Sequence, residues 1–184
     1  MASPFVPERM FFTKGVGKHR NNLQSFEAAL RVARIAEFNL VRVSSIFPPG
    51  CKIISRRRGL ALLQPGQIVH CVMADARSDE PNRLVSSGIG LALSAGKGEY
   101  GYISEFHGFG LTHRKCADLV EDMAASMLAT THGLELDPDK AYDERREIYR
   151  SKGLVVRTRA VAQTAEGDKN GLWTTAVAAA VFVS

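Results

Sequence analysis

The segment LVSSGIGLALSAGKGEYGYISEFHGF, residues 84–109, decides the fold class. Residues 84–94 and 100–109 are both of strand length, and they are rich in aliphatic or aromatic residues. A glycine-rich turn at 94–98 joins them, and strands joined by so short a connection pair in antiparallel fashion. The segment therefore predicts a β-hairpin inside a larger antiparallel sheet.

The rest of the chain adds further strands and two or three helices. The first helix carries an apolar stripe at Phe26, Leu30 and Ala33, and a longer helix begins after a predicted N-cap at Thr112. A polar helix is predicted over 137–152. Further strands are predicted at 10–13, which a turn at 15–17 closes, and at 39–45, 51–55, 67–75, 154–163 and 172–183. Several strands with few helices predict an α+β domain in which helices lie outside the sheets.

Composition places the chain among ordinary globular proteins. It has 184 residues, enough for one domain, with 45% hydrophobic and 23% charged residues, which excludes a disordered chain or a fibrous rod. The net charge of +5 is modest, and the basic residues are scattered except at Arg56–Arg58, a run typical of a solvated turn. No apolar run reaches the ~18 residues of a membrane span, and the first residues lack a secretory signal pattern. We expect a cytoplasmic protein that binds neither nucleic acid nor membrane.

The cysteines and histidines show no metal-site spacing. Cys51, Cys71 and Cys116 lie in apolar contexts without a CxxC motif, so they are expected to be buried and reduced, and no metal is expected. His107, two residues from Glu105, is interpreted as structural, and His19, His70, His113 and His132 show no ligand spacing.

The pair Ser44–Ser45 stands between a strand and the turn Pro48–Gly50, and it has two interpretations. In the first, the two hydroxyls cap backbone groups at the turn. In the second, the Ser45 hydroxyl attacks the carbonyl of the preceding residue and converts the amide into an ester. β-Elimination then leaves dehydroalanine, which hydrolyses to a pyruvoyl group and ammonia. That route needs an aligned, strained peptide and a donor to the oxyanion.

The run NLVRVSSIFPPG, residues 39–50, resembles the processing segment of the pyruvoyl-dependent arginine decarboxylases. The resemblance continues in SFEAAL at 25–30, in GYISE at 101–105 and in the alanine-rich last strand, 171–182. It spans nearly the whole chain in the same order. It implies a single-domain, four-layer αββα sandwich that forms trimers, or dimers of trimers, with active sites between subunits.

The resemblance also implies a role for each site residue. The chain would be cut between Ser44 and Ser45 into a β chain, 1–44, and an α chain, 45–184, which begins with a pyruvoyl group made from Ser45. Asn39 would assist processing and remain in the active site, and Glu105 would be the general acid, for which we predict a desolvated site. Glu27 would meet the substrate guanidinium, although relatives may carry aspartate at that position. The reaction implied is the conversion of L-arginine to agmatine and CO2 in polyamine biosynthesis.

A covalent ketone suits this chemistry, because decarboxylation of an amino acid leaves a carbanion that needs an electron sink. A Schiff base between the substrate amine and the pyruvoyl group supplies one. The chain has no phosphate-binding glycine motif of the Walker or Rossmann type, so pyridoxal phosphate is not expected.

Alternatives remain at the level of sequence. Glu105 is also consistent with an edge glutamate facing water, Glu27 with an ordinary surface residue, and Asn39 with a hydrogen-bonding residue at a strand entry. The substrate is alternatively lysine or ornithine. A different class of protein, a non-enzymatic subunit that binds an anionic partner through Arg56–Arg58, is the second alternative.

Overall fold

The computed structural model describes residues 5–94, 96, 98–133 and 155–184, with the backbone alone for residues 155 and 156. In these ranges the elements follow the order β1 (Arg9–His19), α1 (Asn22–Ala33), β2 (Asn39–Arg42), β3 (Ile46–Phe47), β4 (Lys52–Ile53), α2 (Arg56–Leu60), β5 (Ile68–Ser78), β6 (Leu84–Ser94), β7 (Gly101–Phe109), α3 (His113–Thr131), β8 (Val155–Glu166) and β9 (Trp173–Val183). The helix predicted over 137–152 lies outside the described residues. The α+β class is confirmed.

The strands form two sheets. The first sheet has the order β2-β5-β9-β1-β4, and the second sheet has the order β3-β7-β6-β8. The predicted hairpin is present as the antiparallel pair β6 and β7, in which Ile89 pairs with Glu105. β2 joins the edge of the first sheet parallel to β5, and the two-residue strand β3 joins the edge of the second sheet beside β7. The chain therefore crosses from one sheet to the other between residues 42 and 46.

The alternation of β9 explains how the sheets and helices are layered. Its odd-numbered residues, such as Val177 and Val181, pack with Ala29 and Ala33 of α1. Its even-numbered residues pack with β6 and β7, so the main core lies between the sheets. Both faces of this strand are buried, which is why its sequence is continuously apolar from Ala176 to Val183. On the outer face of the second sheet, Ala92 packs against α3, which Thr112 caps by accepting a hydrogen bond from the Lys115 N–H.

The turn predicted at 15–17 is wrong, because β1 continues through these glycines to His19. A Cβ atom on Gly15 would lie 2.2 Å from the Ala29 carbonyl oxygen, and one on Gly17 would lie 2.1 Å from the Ser25 carbonyl oxygen. The glycines let the backbone of α1 approach the strand closely. Glycine often indicates a turn, but at these positions it indicates a contact with a helix. The run Arg56–Arg58, interpreted as a turn, lies in the short helix α2.

We expect Gly15→Ala to destabilise the fold, because the new methyl group meets backbone atoms of α1, which cannot rotate away. Overpacking of this kind costs about 1–3 kcal/mol. Denaturant unfolding followed by circular dichroism measures the loss. Leu23→Ala, a change at an exposed position of the same helix, is the control and is expected to stay within about 0.5 kcal/mol of the wild type. Equal stability of the Gly15→Ala variant and the wild type would contradict the packing described.

Candidate active site

The Ser44–Ser45 peptide lies where the chain crosses between the sheets. On one side, the Val43 N–H donates to the Cys71 carbonyl of β5 at 3.0 Å. On the other side, the Ser45 carbonyl accepts from the Ile103 N–H of β7 at 2.7 Å. Residues before the bond are thus fixed to the first sheet, and residues after it are fixed to the second sheet.

Side chains also hold the strands on both sides of this peptide in place. Arg42 of β2 forms a hydrogen-bonded ion pair with Asp75 of β5, which also contacts Arg77. Burial by itself raises the pKa of Asp75, but the hydrogen bonds and charges of the two arginines bring that pKa below its usual value. After the crossing, Phe47 is buried in the core between the sheets. The Ser44–Ser45 bond is therefore a short link between two fixed strands.

Neither serine hydroxyl has a hydrogen-bond partner among the described residues. Ser44 is exposed and Ser45 is half-buried. The interpretation of the pair as a cap for backbone groups therefore finds no support in this part of the chain. The Ser45 hydroxyl is available for chemistry at the peptide that precedes it.

Glu105 lies on β7, the strand whose Ile103 N–H binds the Ser45 carbonyl. It is two residues beyond Ile103 on β7, so the two side chains share a face and are about 7 Å apart along the strand. Its charge also acts on Cys71, the residue whose carbonyl binds Val43. Burial raises the pKa of the Cys71 thiol to about 11, Arg42 opposes this shift, and Glu105 adds to it. Glu105 is thus linked to the serine pair through two neighbours, Ile103 and Cys71, each of which has a main-chain hydrogen bond to residues 43–45.

The desolvated environment predicted for Glu105 is not found within the single chain, because its side chain is exposed. The strand itself explains this difference. The first half of β7 is buried between the sheets, whereas from residue 105 onward the residues on that face reach the surface. A covered Glu105 requires a surface from outside the described part of this chain.

Asn39 begins β2, on the same strand that leads to Ser44. Its side-chain amide donates to the Gly66 carbonyl at 2.7 Å, and its main-chain N–H donates to the Gln67 carbonyl at 2.8 Å. These bonds fit the hydrogen-bonding strand entry described above. The Asn39 side-chain oxygen has no partner among the described residues, so it can still accept a hydrogen bond.

Glu27 lies apart from the other candidates within one chain. It lines a cleft of about 380 Å³ at the end of α1, together with Arg31, Arg34 and Glu37. Its carboxylate accepts a hydrogen bond from Arg31, one turn later on the same helix. A different cleft borders the serine pair, and Glu27 does not line it. A single chain therefore does not unite Glu27 with Ser45.

The cleft beside the serine pair has a volume of about 490 Å³ and is mainly apolar. It is lined by Phe5, Val6, Pro7, Val43, Ser44, Ile46, Pro48, Pro49, His70 and Phe182. No spacing motif in the sequence marks His70. A signal for His70 was available, because successive side chains of β5 point to opposite faces of the sheet. The next two residues on the face of His70 are Val72 and Ala74, and both pack between the sheets.

The described residues fit a pyruvoyl group, which this chain would make from its own Ser45. The hydroxyl that must react is unengaged, and the carbonyl that follows it is held by the Ile103 N–H. Among the described residues, no cluster of three or more potential metal ligands is present, and no helix is long and apolar enough to cross a membrane. The three cysteines are free thiols, and burial raises the pKa of each to about 11.

Comparison with known proteins gives the family. Residues 9–184 match the family model described as pyruvoyl-dependent arginine decarboxylase. A probable pyruvoyl-dependent arginine decarboxylase of Chloroherpeton thalassium is 55% identical over 179 residues, 97% of this chain and 98% of its own length. Pyruvoyl-dependent arginine decarboxylase 2 of Methanosarcina mazei is 51% identical over the same shares. The relative from Methanococcoides burtonii is 49% identical over 97% of this chain and 99% of its own length.

The fold is a two-sheet α+β domain, and an unengaged serine lies in the segment that joins the two sheets. The relatives that share this sequence are named as pyruvoyl-dependent enzymes. The chain is a member of the pyruvoyl-dependent arginine decarboxylase family. The resemblance seen in the sequence is confirmed, and so are the enzyme class and the pyruvoyl cofactor.

Proposed function

We propose that this protein cleaves itself between Ser44 and Ser45 and then converts L-arginine to agmatine and CO2. The observation that carries the proposal is the position of the Ser44–Ser45 bond, fixed to one sheet at Val43 and to the other at Ser45. Family membership and relatives named for arginine decarboxylation support the reaction. The pathway we assign is polyamine biosynthesis, in the cytoplasm.

The first reaction is the cleavage. The Ser45 oxygen attacks the Ser44 carbonyl carbon, the C–N bond breaks, and an ester replaces the amide. Loss of the Cα proton of Ser45 with departure of the Ser44 carboxylate leaves dehydroalanine, and hydrolysis releases ammonia and leaves the pyruvoyl group. The conversion of the amide to an ester is unfavourable in free energy. A peptide that is fixed at both ends has fewer conformations in which it can relax, and this makes the conversion less unfavourable. Asn39, through its free side-chain oxygen, is our candidate for aligning the segment.

The second reaction is the decarboxylation. The pyruvoyl group supplies the electron sink that releases CO2. Glu105 then returns a proton to the substrate Cα, which requires that its carboxyl group be protonated when substrate is bound. Exclusion of water favours the protonated form, because burial disfavours a charged carboxylate. We therefore propose that another protomer covers Glu105.

Two features support active sites between subunits, in the trimer that the family resemblance implies. Glu27 lines one cleft of the chain and Ser44 lines another, so Glu27 of a second protomer is the simplest carboxylate for the substrate guanidinium. Exposed apolar side chains also flank the serine pair at Val41, Val43 and Ile46. Apolar groups gathered in this way around a site are typical of an interface. Whether two trimers pair is a separate question that oligomer mass would answer.

Arginine is the substrate that a carboxylate favours, since a guanidinium forms two parallel hydrogen bonds with it, whereas an ammonium group acts as a point charge. Measuring CO2 release from arginine, lysine and ornithine separates the three substrates. We expect release from arginine to dominate. Equal or faster release from lysine or ornithine would contradict the substrate assignment and leave the self-cleavage untouched.

Glu27→Gln is expected to raise KM for arginine by about 10–100-fold with a smaller effect on kcat, because it removes one charged partner of a hydrogen-bonded pair, worth about 1.5–3 kcal/mol. Chain cleavage is expected to be unchanged. Steady-state CO2 release measures both constants. Glu37→Gln, a change of the other carboxylate in the same cleft, is the matched control and should leave KM within about threefold. An unchanged KM in Glu27→Gln would remove Glu27 from the substrate site.

A further inference from the structure

The amide-to-ester step of the proposed cleavage needs a carrier for one proton. As the Ser45 hydroxyl attacks, its proton must leave the oxygen, and a proton must reach the Ser45 nitrogen as the C–N bond breaks. A side chain that moves this proton contributes about 10²–10⁴-fold to the rate of such a step. We assign Glu105 to the later decarboxylation and expect Glu105→Gln to cleave normally, so this step calls for a different group near the serine pair.

The apolar cleft that borders Ser44 contains one candidate. Of the described residues that line it, His70 alone has a titratable side chain. Histidine is also the side chain that ordinarily changes its protonation between pH 5 and pH 8, so it can accept a proton and return it. The remaining lining groups are aliphatic, aromatic or proline side chains, together with the hydroxyl of Ser44 itself.

Two contacts fix His70 in this cleft. Its main chain pairs with Val41 of β2, the strand that leads directly to Ser44. Its ring packs against the Phe5 ring, with the centroids 5.2 Å apart and the planes inclined at 43°.

We propose that His70 is the proton carrier of self-cleavage. The imidazole accepts the proton of the Ser45 hydroxyl, directly or through one water molecule, as the oxygen–carbon bond forms. It then gives that proton to the Ser45 nitrogen as the bond from that nitrogen to the Ser44 carbonyl carbon breaks. No proton is gained or lost overall, and His70 ends the step neutral. This inference rests on the proposed self-cleavage and adds the residue that drives it.

Other ionisable groups approach the cleft from neighbouring elements. Arg42 of β2 and Glu105 of β7 both act on Cys71, the residue after His70 on β5. Glu8, Arg9 and Lys52 line an adjacent cleft, which shares Val6, Pro7 and Pro49 with this one. Variants of His70 are therefore needed to show that the imidazole causes the pH dependence of cleavage.

The test follows cleavage of freshly synthesised full-length chain by gel and mass spectrometry over a range of pH. We expect His70→Gln to slow cleavage by about 100-fold and to remove the fall in rate that the wild type shows as histidine becomes protonated. In His70→Gly, added imidazole is expected to restore part of the rate. His107→Gln, which changes an exposed histidine of β7, is the control and should cleave like the wild type.

Each outcome decides the question. Cleavage of His70→Gln at the wild-type rate with the wild-type pH profile would overturn the inference. The inference would also be overturned if His70→Gly cleaved slowly and added imidazole did not accelerate the cleavage. A purely structural defect gives that outcome. A wild-type chain that never cleaves would instead remove the proposed function itself, so the two failures are distinguishable.

Discussion

Ser45→Ala is expected to remain a single chain of 184 residues without decarboxylase activity. The variant lacks the only oxygen that can attack the Ser44 carbonyl from the following residue, and it lacks the Cβ–O bond that must break to give dehydroalanine. Both the cut and the ketone are therefore lost together, and we expect no measurable CO2 release above the uncatalysed rate. Gel electrophoresis and a CO2 assay measure the two effects on one sample.

The neighbouring serine provides the matched control. Ser44→Ala keeps the carbonyl that is attacked and removes a hydroxyl that makes no hydrogen bond to a described residue, so we expect it to cleave. Circular dichroism of both variants shows whether they fold. If Ser45→Ala still separated into two chains, or if only Ser44→Ala stayed intact, the assignment of the reacting hydroxyl would be wrong.

Glu105→Gln is expected to cleave normally and to lose about 10²–10⁴-fold in kcat. An amide cannot deliver the proton that the substrate Cα needs, and removal of a positioned acid has an effect of this size. The measurement combines the mass of the chains with single-turnover CO2 release. His107→Gln, two residues later on the same strand, is the control and should retain turnover. Wild-type kcat in Glu105→Gln would show that another group supplies the proton.

The strands and helices were predictable wherever the local pattern and the tertiary contacts agree. The hairpin at 84–109 and the capped helix after Thr112 formed as predicted, because alternation, turn residues and capping all indicate the same elements. The turn at 15–17 was wrong, since glycine permits both a turn and a close helix contact, and only the packed fold distinguishes them. The strand predicted over 39–45 ends at Arg42 in the structure, because the chain makes its last hydrogen bond to the first sheet at Val43 and then crosses to the second sheet.

The sequence selects the candidate site residues but only part of their geometry. The resemblance of residues 39–50 selected the serine pair, and the fold adds that this pair links two sheets, which depends on pairings distant in sequence. That Glu27 and Ser44 line different clefts of one chain depends on the tertiary fold and is not visible in local sequence. Alternation along β5 is the one local signal for His70, and its significance depends on a cleft that segments distant in sequence form together.

Intact mass spectrometry of the purified wild-type protein is the most direct test of the central claim. The account predicts two polypeptides, residues 1–44 ending in a normal carboxylate and residues 45–184 lighter by one ammonia than a chain beginning with serine. Borohydride should add hydrogen to the second polypeptide alone, since only that one carries a ketone. One uncut chain that persists through long incubation at neutral pH, or a cut fragment that keeps an ordinary serine amine at residue 45, would contradict the account.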